Sequence, residues 1–536
     1  MHRFRLRLIS LSVFGAMICA GRVPRARETS DRESKPVASA SASFKDAEHL
    51  YRIHQLDAAV QEYNSLIATG TQPGLAYAGL VRVYLKQNDL PDAIAASAKA
   101  LAIAPDAAEA HVARGEVYFR EGRITDAQEE FAEFTGKGAK NARAYLGMAR
   151  IYEAESDYQK TREMADEAYD LDPSDPDVQS MWALNWLATV DLQDRITVLR
   201  GYLGDDPGDD DMRNELAVFQ DEARRNIAPC RLSTNADSLE TNLEPVSSGT
   251  ARPRGYGLKI GLNGVSSTLL LDSGSSGILV SRRIAEKAGI ERIASIRIGG
   301  VGTNRAAPGY IGYAKTIQVG GLEFRSCYVD VLDGPSVTGG DGLIGADTFS
   351  NFLLDLDFRR AKFRLSELPA LANEAEPVEA LDSRFVSLKI PEFAKRYDGP
   401  EMKSFTRAWR FGHDLLIPVN VNESGTMLFL VDTGSAESVI SPDAAKKVAA
   451  VRADTPLKVA GVNGRVTKVF HVSGVALTFA NQTQRNLDLV SFDTTTFSNS
   501  IGTEVSGLLG FATLKNFAIT IDYRDGLIRF RPHSKT

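Results

Sequence analysis

Leu269-Leu270-Leu271-Asp272-Ser273-Gly274-Ser275-Ser276-Gly277-Ile278-Leu279-Val280-Ser281 has a second, altered copy later in the same chain. There it reads Leu428-Phe429-Leu430-Val431-Asp432-Thr433-Gly434-Ser435, followed by Ser438-Val439-Ile440-Ser441. Each copy is an apolar run of strand length, a sharp Asp-[Ser/Thr]-Gly turn and a second apolar run. One Asp-[Ser/Thr]-Gly is ordinary turn chemistry. Two copies with matching surroundings call for another explanation.

The surroundings do match. Gly342-Leu343-Ile344-Gly345 is followed by Thr348, Asn351, Asp357 and Arg364; Gly507-Leu508-Leu509-Gly510 is followed by Thr513, Asn516, Asp522 and Arg529. The offset is constant through these landmarks (510 − 345 = 165, 529 − 364 = 165), against 432 − 272 = 160 for the two Asp. The second copy therefore has a few extra residues between its landmarks. A glycine-rich hairpin tip also recurs, as Gly299-Gly300-Val301-Gly302 and Ala460-Gly461-Val462-Asn463-Gly464. This is an internal duplication, with one acid in each half.

One acid per half has a chemical use. Two carboxylates about 3 Å apart cannot both ionise and share one proton. The ionised member can take a proton from a trapped water while the other donates to the carbonyl under attack, with no metal or covalent intermediate. Gly274 and Gly434 let the backbone turn tightly beside each carboxylate, and the Ser273 and Thr433 hydroxyls are placed to brace the loops.

The doubled strand–Asp-[Ser/Thr]-Gly-Ser motif, the glycine-rich tips and the later apolar-apolar-Gly resemble the aspartic peptidases. The length of each half is most similar to the retropepsin-like branch, and two halves in one chain are similar in plan to the bilobal pepsin-like enzymes. The resemblance covers about Gly255 to Pro532. It implies a closed, mostly β fold with Asp272 and Asp432 as a catalytic dyad. Ser273, Gly274, Ser275, Thr433, Gly434 and Ser435 would be the active-site loops. Flaps over the substrate would include Gly300, Val301, Gly302, Gly461, Val462 and Gly464.

The N-terminal part carries a different period. Ala59, Ala93 and Ala127 are 34 residues apart (93 − 59 = 34), and Leu50, Tyr84, Tyr118, Tyr152 and Trp186 keep the same step. Gly115 and Ala149 recur with them, and Pro105, Pro173 and Pro207 fall in phase. A packed helix pair needs a small residue where the helices cross, aromatics to fill the groove and Pro to end a helix. These spacings resemble the tetratricopeptide repeat, about five units of which fit before Gly208. Asp211 to Arg225 is then expected to be a capping helix. Such a stack presents a groove for a protein partner, or serves only as a spacer.

The first residues carry Arg3, Arg5 and Arg7 ahead of an apolar run, Leu8 to Ala20. That run is short for a membrane helix and reads as a secretory signal peptide. Cys19 suggests a lipid anchor, but the preceding Met17-Ile18 fits a lipoprotein cleavage site poorly. After export, Cys230 and Cys327 either pair or remain as two buried thiols; their spacing decides neither. The net charge of −7, with no basic stripe, argues against nucleic acid. No His-Glu-x-x-His, Gly-x-Ser-x-Gly or phosphate-binding loop is present.

The reading is therefore an all-α repeat solenoid followed by an all-β bilobal acid-protease barrel fold with short helices. Its expected parts are a signal peptide at 1–20, a disordered linker at 21–43 and the repeats with their cap at 44–226. A linker at 227–254 leads to the first half at 255–366; a second linker at 367–405 leads to the second half at 406–533. The function expected is exported, periplasmic or secreted, aspartic endopeptidase activity on a peptide or protein substrate. No cofactor, metal or further membrane span is expected. Two alternatives stand beside it: a peptide binder that does not cut, and halves that pair between separate chains.

Overall fold

The computed structural model describes residues 43–533 apart from 137–139, 188–189, 206–209, 234–237, 248–252, 303–305, 335–339, 370–376, 382–386, 392–399, 449–450, 453–458 and 463. The expected signal peptide and most of the N-terminal linker lie outside these residues. By contact the chain divides into two units. One holds the described residues up to Ile151 with Glu163–Trp182; the other holds Tyr152–Arg162 and everything from Ala183 onward.

Helices come first, two to a repeat: Phe44–Arg52 and Leu56–Ala68, Pro73–Lys86 and Leu90–Ile103, Ala108–Arg120 and Ile124–Ala132, Ala142–Ala154 and Tyr158–Leu171. The first helix of each repeat ends the same way. The N–H groups of Gln55, Asp89, Arg123 and Asp157 reach back to the carbonyls of Leu50, Tyr84, Tyr118 and Tyr152 at 2.8–2.9 Å. The residues just before these donors, His54, Asn88, Gly122 and Ser156, are left-handed, with φ of 58°, 58°, 77° and 60°. This backbone motif satisfies carbonyls that a helix end leaves open. The aromatic series in the sequence marks its acceptor positions. At Gly115 the small residue is a packing requirement, since a Cβ there would sit 2.5 Å from the Phe131 ring; Gly79, outside the series the sequence shows, is confined in the same way, with a Cβ 2.4 Å from the Tyr63 ring.

Pro176–Leu187 is divided between the units at Trp182, and in the second unit Leu192–Asp205 and Asp210–Arg225 lead into the β region. Phe219 of the last helix packs with Ile196 and Leu199, and its Val218 packs with Ile296, Ile311, Tyr313 and Tyr328 of the first β half. Asp221 accepts a hydrogen bond from Tyr328 Oη at 3.0 Å, and the Arg225 guanidinium lies 4.0 Å from the Tyr313 ring centre. The helix expected to cap the repeats thus also packs against the first β half.

The two halves repeat their topology strand for strand. Gly342–Gly345 lies parallel to Val265–Asp272, with Leu343 opposite Leu270 and Ile344 opposite Leu271. Gly507–Leu509 lies parallel to Thr426–Val431, with Leu508 opposite Leu430 and Leu509 opposite Val431. The pairing of landmarks is the same in both, so the extra residues of the second copy sit outside it. The duplication also shows in the hairpin before each acid. Asn263 (φ 47°) accepts the Thr316 N–H at 3.0 Å and donates to Ala288 O at 2.9 Å. Asn422 (φ 49°) accepts the Ala476 N–H at 2.7 Å and donates to Val448 O at 3.0 Å.

A six-stranded sheet joins the halves within one chain. Its strands run in the order Thr406–Arg407, Leu527–Pro532, Phe517–Asp522, Phe352–Asp357, Lys362–Glu367, Leu239–Asn242. At its centre Leu354 is paired with Ile521 and Leu356 with Ile519. Within the expected linker at 227–254, the described residues include three short strands. Arg231–Leu232 pairs with Leu322–Leu332, Leu239–Asn242 with Lys362–Glu367, and Glu244–Val246 with Gly255–Leu262. These strands are too short to show a period of two, so the sequence pattern is silent about them. Cys230 and Cys327 form a disulfide, which settles the open alternative in favour of pairing. Of the 367–405 linker, Pro377–Leu381 and Ser387–Pro391 form a two-stranded hairpin.

Candidate functional site

Each acid stands where its apolar strand ends, and the two loops are tied to one another. Ser273 Oγ donates to Val431 O at 2.7 Å and accepts the Thr433 N–H at 3.1 Å. Thr433 Oγ1 donates to Leu271 O at 2.9 Å and accepts the Ser273 N–H at 3.0 Å. Both hydroxyls are buried, so four reciprocal bonds lock the loops across the junction of the halves. The bracing expected of Ser273 and Thr433 is therefore made to the opposite loop.

The carboxyls of Asp272 and Asp432 are hydrogen-bonded to each other. Each lies against the other loop's glycine: a Cβ on Gly434 would be 2.3 Å from Asp272 Cγ, and one on Gly274 3.0 Å from Asp432 Cγ. Those two glycines are needed for close approach as well as for the turn. The surroundings of the acids differ. Asp272 Oδ1 accepts one backbone N–H, from Gly274 at 2.9 Å. Asp432 Oδ1 accepts two, from Gly434 at 2.9 Å and Ser435 at 2.8 Å.

Burial, reinforced by the neighbouring negative charge of Asp432, holds Asp272 well above the usual carboxylate range. Burial also raises Asp432, but the Ser435 N–H, the hydrogen bond from Asp272 and the Gly434 N–H oppose it. Of the two, Asp272 is the more strongly raised.

The apolar-apolar-Gly landmarks hold this floor in place. A Cβ on Gly345 would be 2.4 Å from Ser275 O, and one on Gly510 2.1 Å from Glu437 O. Ser435 Oγ donates to Glu437 O at 2.9 Å, inside its own loop. The two glycine-rich tips meet one another. A Cβ on Gly300 would be 3.1 Å from Val462 Cβ, and one on Gly461 2.5 Å from Val301 Cβ. Val462 also packs, with Ile298 and Ala307, against Leu270, Leu279, Leu332 and Leu343. Gly302 and Gly464 belong to the same tips, and both have positive φ (141° and 100°).

Sequence reasoning missed several groups around the site. Arg254 is half-buried, interacts electrostatically with Asp272, and has no partner for its Nε among the described residues. Asp414 is buried and pushed up to about 6, by burial and by Asp432, with His413 opposing. Asp347 accepts the Gly277 N–H at 2.9 Å and the Ser276 hydroxyl at 3.1 Å, and so supports the first loop from below. Asp347 and Asp414 have no matching residue type in the other half, so the duplication gave no signal for them.

Comparisons with known proteins agree with this architecture. A profile of the aspartyl protease family matches residues 258–348 and again 417–513. Profiles described as TPR repeat and tetratricopeptide repeat match residues 82–122 and 112–176. DNA damage-inducible protein 1 of Chaetomium globosum is 29% identical over 126 residues, which is 23% of this chain and 28% of that protein. Its namesake from Neurospora crassa is 29% identical over 147 residues, 26% of this chain and 32% of that protein. The chain thus spans less than a third of the length of these relatives. The aspartic proteinase from Irpex lacteus, a solved structure, is 13% identical, with a TM-score of 0.34 over 55% of this chain and 98% of that one. The chain carries tetratricopeptide repeats followed by a β-rich, aspartyl-protease-like region, and the family profile supports a peptidase.

Proposed function

We propose that this union of tetratricopeptide repeats with a doubled aspartyl-protease region is an exported aspartic endopeptidase, with Asp272 and Asp432 as its catalytic pair. The observation that carries the reading is the pair of carboxyls, Asp432 buried and Asp272 half-buried, that face each other where four reciprocal hydrogen bonds lock the two loops. A protein that only held peptide would gain nothing from burying two like acids face to face.

Asp432 is the ionised member, because two N–H groups favour its charge where Asp272 has one. It takes a proton from a water held between the acids as the water oxygen attacks the peptide carbonyl carbon. Asp272 gives its proton to the carbonyl oxygen, leaving a neutral gem-diol. Asp432 then returns its proton to the amide nitrogen, and the C–N bond breaks. Asp272 recovers a proton from a gem-diol hydroxyl as the carboxylic acid product forms. The tips of Gly300–Gly302 and Gly461–Gly464 must part to admit substrate and close over it. The repeats supply a surface for a protein partner.

Export rests on the basic, then apolar, N-terminus and on the Cys230–Cys327 disulfide, which suits an oxidising compartment. Asp272→Asn and Asp432→Asn, each purified and folded by circular dichroism, are expected to lose ~10²–10⁴-fold of cleavage activity on an unfolded protein substrate. Near-normal turnover in either variant refutes the shared-proton reading. Cell fractionation and N-terminal sequencing of the mature protein test export, with cleavage expected after Ala20.

A further inference from the structure

The helical unit contains a cavity of about 370 Å³. Its wall comes chiefly from the first helix of successive repeats, and one position of that helix carries a charge each time. Glu48, Arg82 and Glu116 are 34 residues apart (82 − 48 = 34, 116 − 82 = 34), and all three line the cavity. Charges at a repeated groove position are ordinary. What distinguishes this groove is how they are satisfied.

Every cation in the wall is already engaged by an acid. Arg82 is paired with Glu48 and Arg52 with Asp172 at 2.9 Å. Lys140, at the rim, is paired with Glu167 at 3.5 Å. Arg143 is the most heavily used: it reaches Glu116 Oε1 at 2.6 Å, Asp175 at 2.7 Å and Asp177 at 3.2 Å.

The acids are not all used up. Arg143 sends both Nε and Nη2 to the same oxygen, Glu116 Oε1. Among the described residues Oε2 of that carboxylate has no hydrogen-bond partner, and it is buried on a residue only 6% exposed. A buried carboxylate oxygen left bare is costly, and proteins pair such atoms. Two turns nearer the helix start, Glu109 also lines the cavity, is exposed, and makes no ion pair among the described residues. Seven residues on one helix put both acids on one face about 10 Å apart. Among the described residues the cavity therefore has acceptors to spare at its floor and its mouth and no unpaired cation. Its volume is more than ten times the roughly 30 Å³ share of one water.

We propose that this cavity docks a single arginine or lysine side chain of a bound protein. Its charged head meets Glu116 Oε2, and its stem passes Glu109, Val112 and Ala113. The site deepens the reading of the repeats as a partner-binding surface but does not depend on the peptidase chemistry, so it is tested on a chain that cannot cut.

The full-length Asp432→Asn protein, fluorescently labelled, is applied to an array of immobilised random-sequence dodecapeptides. Retained peptides are expected to share an arginine or lysine at one position. Replacing that residue by citrulline, or norleucine for lysine, lowers retention at least tenfold. Adding Glu116→Gln, which keeps an oxygen for Arg143 but presents an amide in place of Oε2, produces a similar loss and removes the penalty for citrulline. Adding Glu109→Gln, at a surface position without an internal partner, gives a smaller loss of two- to fivefold with the cation preference kept. Retained peptides without a shared cation overturn the proposal. So does a Glu116→Gln protein that still prefers arginine over citrulline. Binding of spermidine with no peptide retained also overturns it, and assigns the cavity to a small free polycation. Because cleavage is not read, a failure here leaves the Asp272/Asp432 reading standing, and the reverse holds too.

Discussion

Replacing Thr433 by Val tests the coupling between the two loops most directly. The branched shape is kept and one buried hydroxyl is removed. That hydroxyl donates to Leu271 O at 2.9 Å and is the acceptor for the Ser273 N–H at 3.0 Å. The variant loses about 1 kcal/mol for a typical net hydrogen bond and about 1–3 kcal/mol for the Ser273 N–H left buried and unsatisfied. The sum is about 2–4 kcal/mol, concentrated at the contact between the halves. At roughly 1.4 kcal/mol per factor of ten, amide-exchange protection across residues 271–274 should fall about 30- to 1,000-fold. The readout is hydrogen-exchange mass spectrometry of native protein, because a chain with two compact units need not unfold in one step. Cleavage should drop with protection, since the carboxyls no longer hold their spacing. Ser273→Ala should mirror the effect through the Thr433 N–H. The double variant should lose less than the two singles added, because loops already parted have nothing further to lose. Protection within about threefold of wild type, together with full activity in Thr433→Val, would refute the account.

Four other expectations follow from the same geometry. Gly510→Ala puts a Cβ 2.1 Å from Glu437 O; overpacking of this kind typically costs about 1–3 kcal/mol, so a lower melting temperature and loss of cleavage are expected. Asp414 is neutral up to about pH 6 when folded but ionises near 3.8 when unfolded, so it favours the folded state at low pH and that contribution is lost as pH rises through this window. The loss is on the order of 3 kcal/mol, and Asp414→Asn should flatten the fall in melting temperature between pH 4 and pH 7. Raised Asp272 and Asp432 place both limbs of the cleavage profile above the range of free carboxylic acids: activity falls at low pH as Asp432 gains a proton and at high pH as Asp272 loses its own. Removing the Cys230–Cys327 link, which closes a loop with a sequence separation of 97, should destabilise the β unit by about 4–5 kcal/mol on chain-entropy grounds; native protein should resist maleimide labelling at both positions until reduced.

Much of this architecture is legible in the sequence because it is written twice or more. Doubling exposed Asp272 and Asp432, the braces Ser273 and Thr433, and the glycines Gly345 and Gly510. Period exposed the helix pairs through Ala59, Ala93 and Ala127. What escaped was either unrepeated or chemically disguised. The left-handed turn at His54, Asn88, Gly122 and Ser156 keeps perfect step but changes residue type every time, because the motif is made by backbone atoms and asks for a conformation, not a side chain. Asn263 and Asn422 do the same work at an offset of 159 (422 − 263 = 159), one residue out of register with the acids they precede. The edge strands between Cys230 and Val246 are fixed by long-range pairing, with too few residues each to carry a pattern. The cavity at Glu116 depends on which of two carboxylate oxygens Arg143 engages, a detail that only coordinates supply.

The extra N–H that Ser435 offers to Asp432 has a consequence for how a polypeptide is threaded. Two identical halves related by a true twofold axis would greet either chain direction equally, and the substrate itself would have to choose which acid starts charged. Here the bias is built in before anything enters. On the proposed mechanism a guest running one way meets the base on the side of its carbonyl face, while the reversed guest meets the acid there, so the two orientations are not equivalent. Fusing and diverging the copies has removed the equivalence that a true twofold axis would impose.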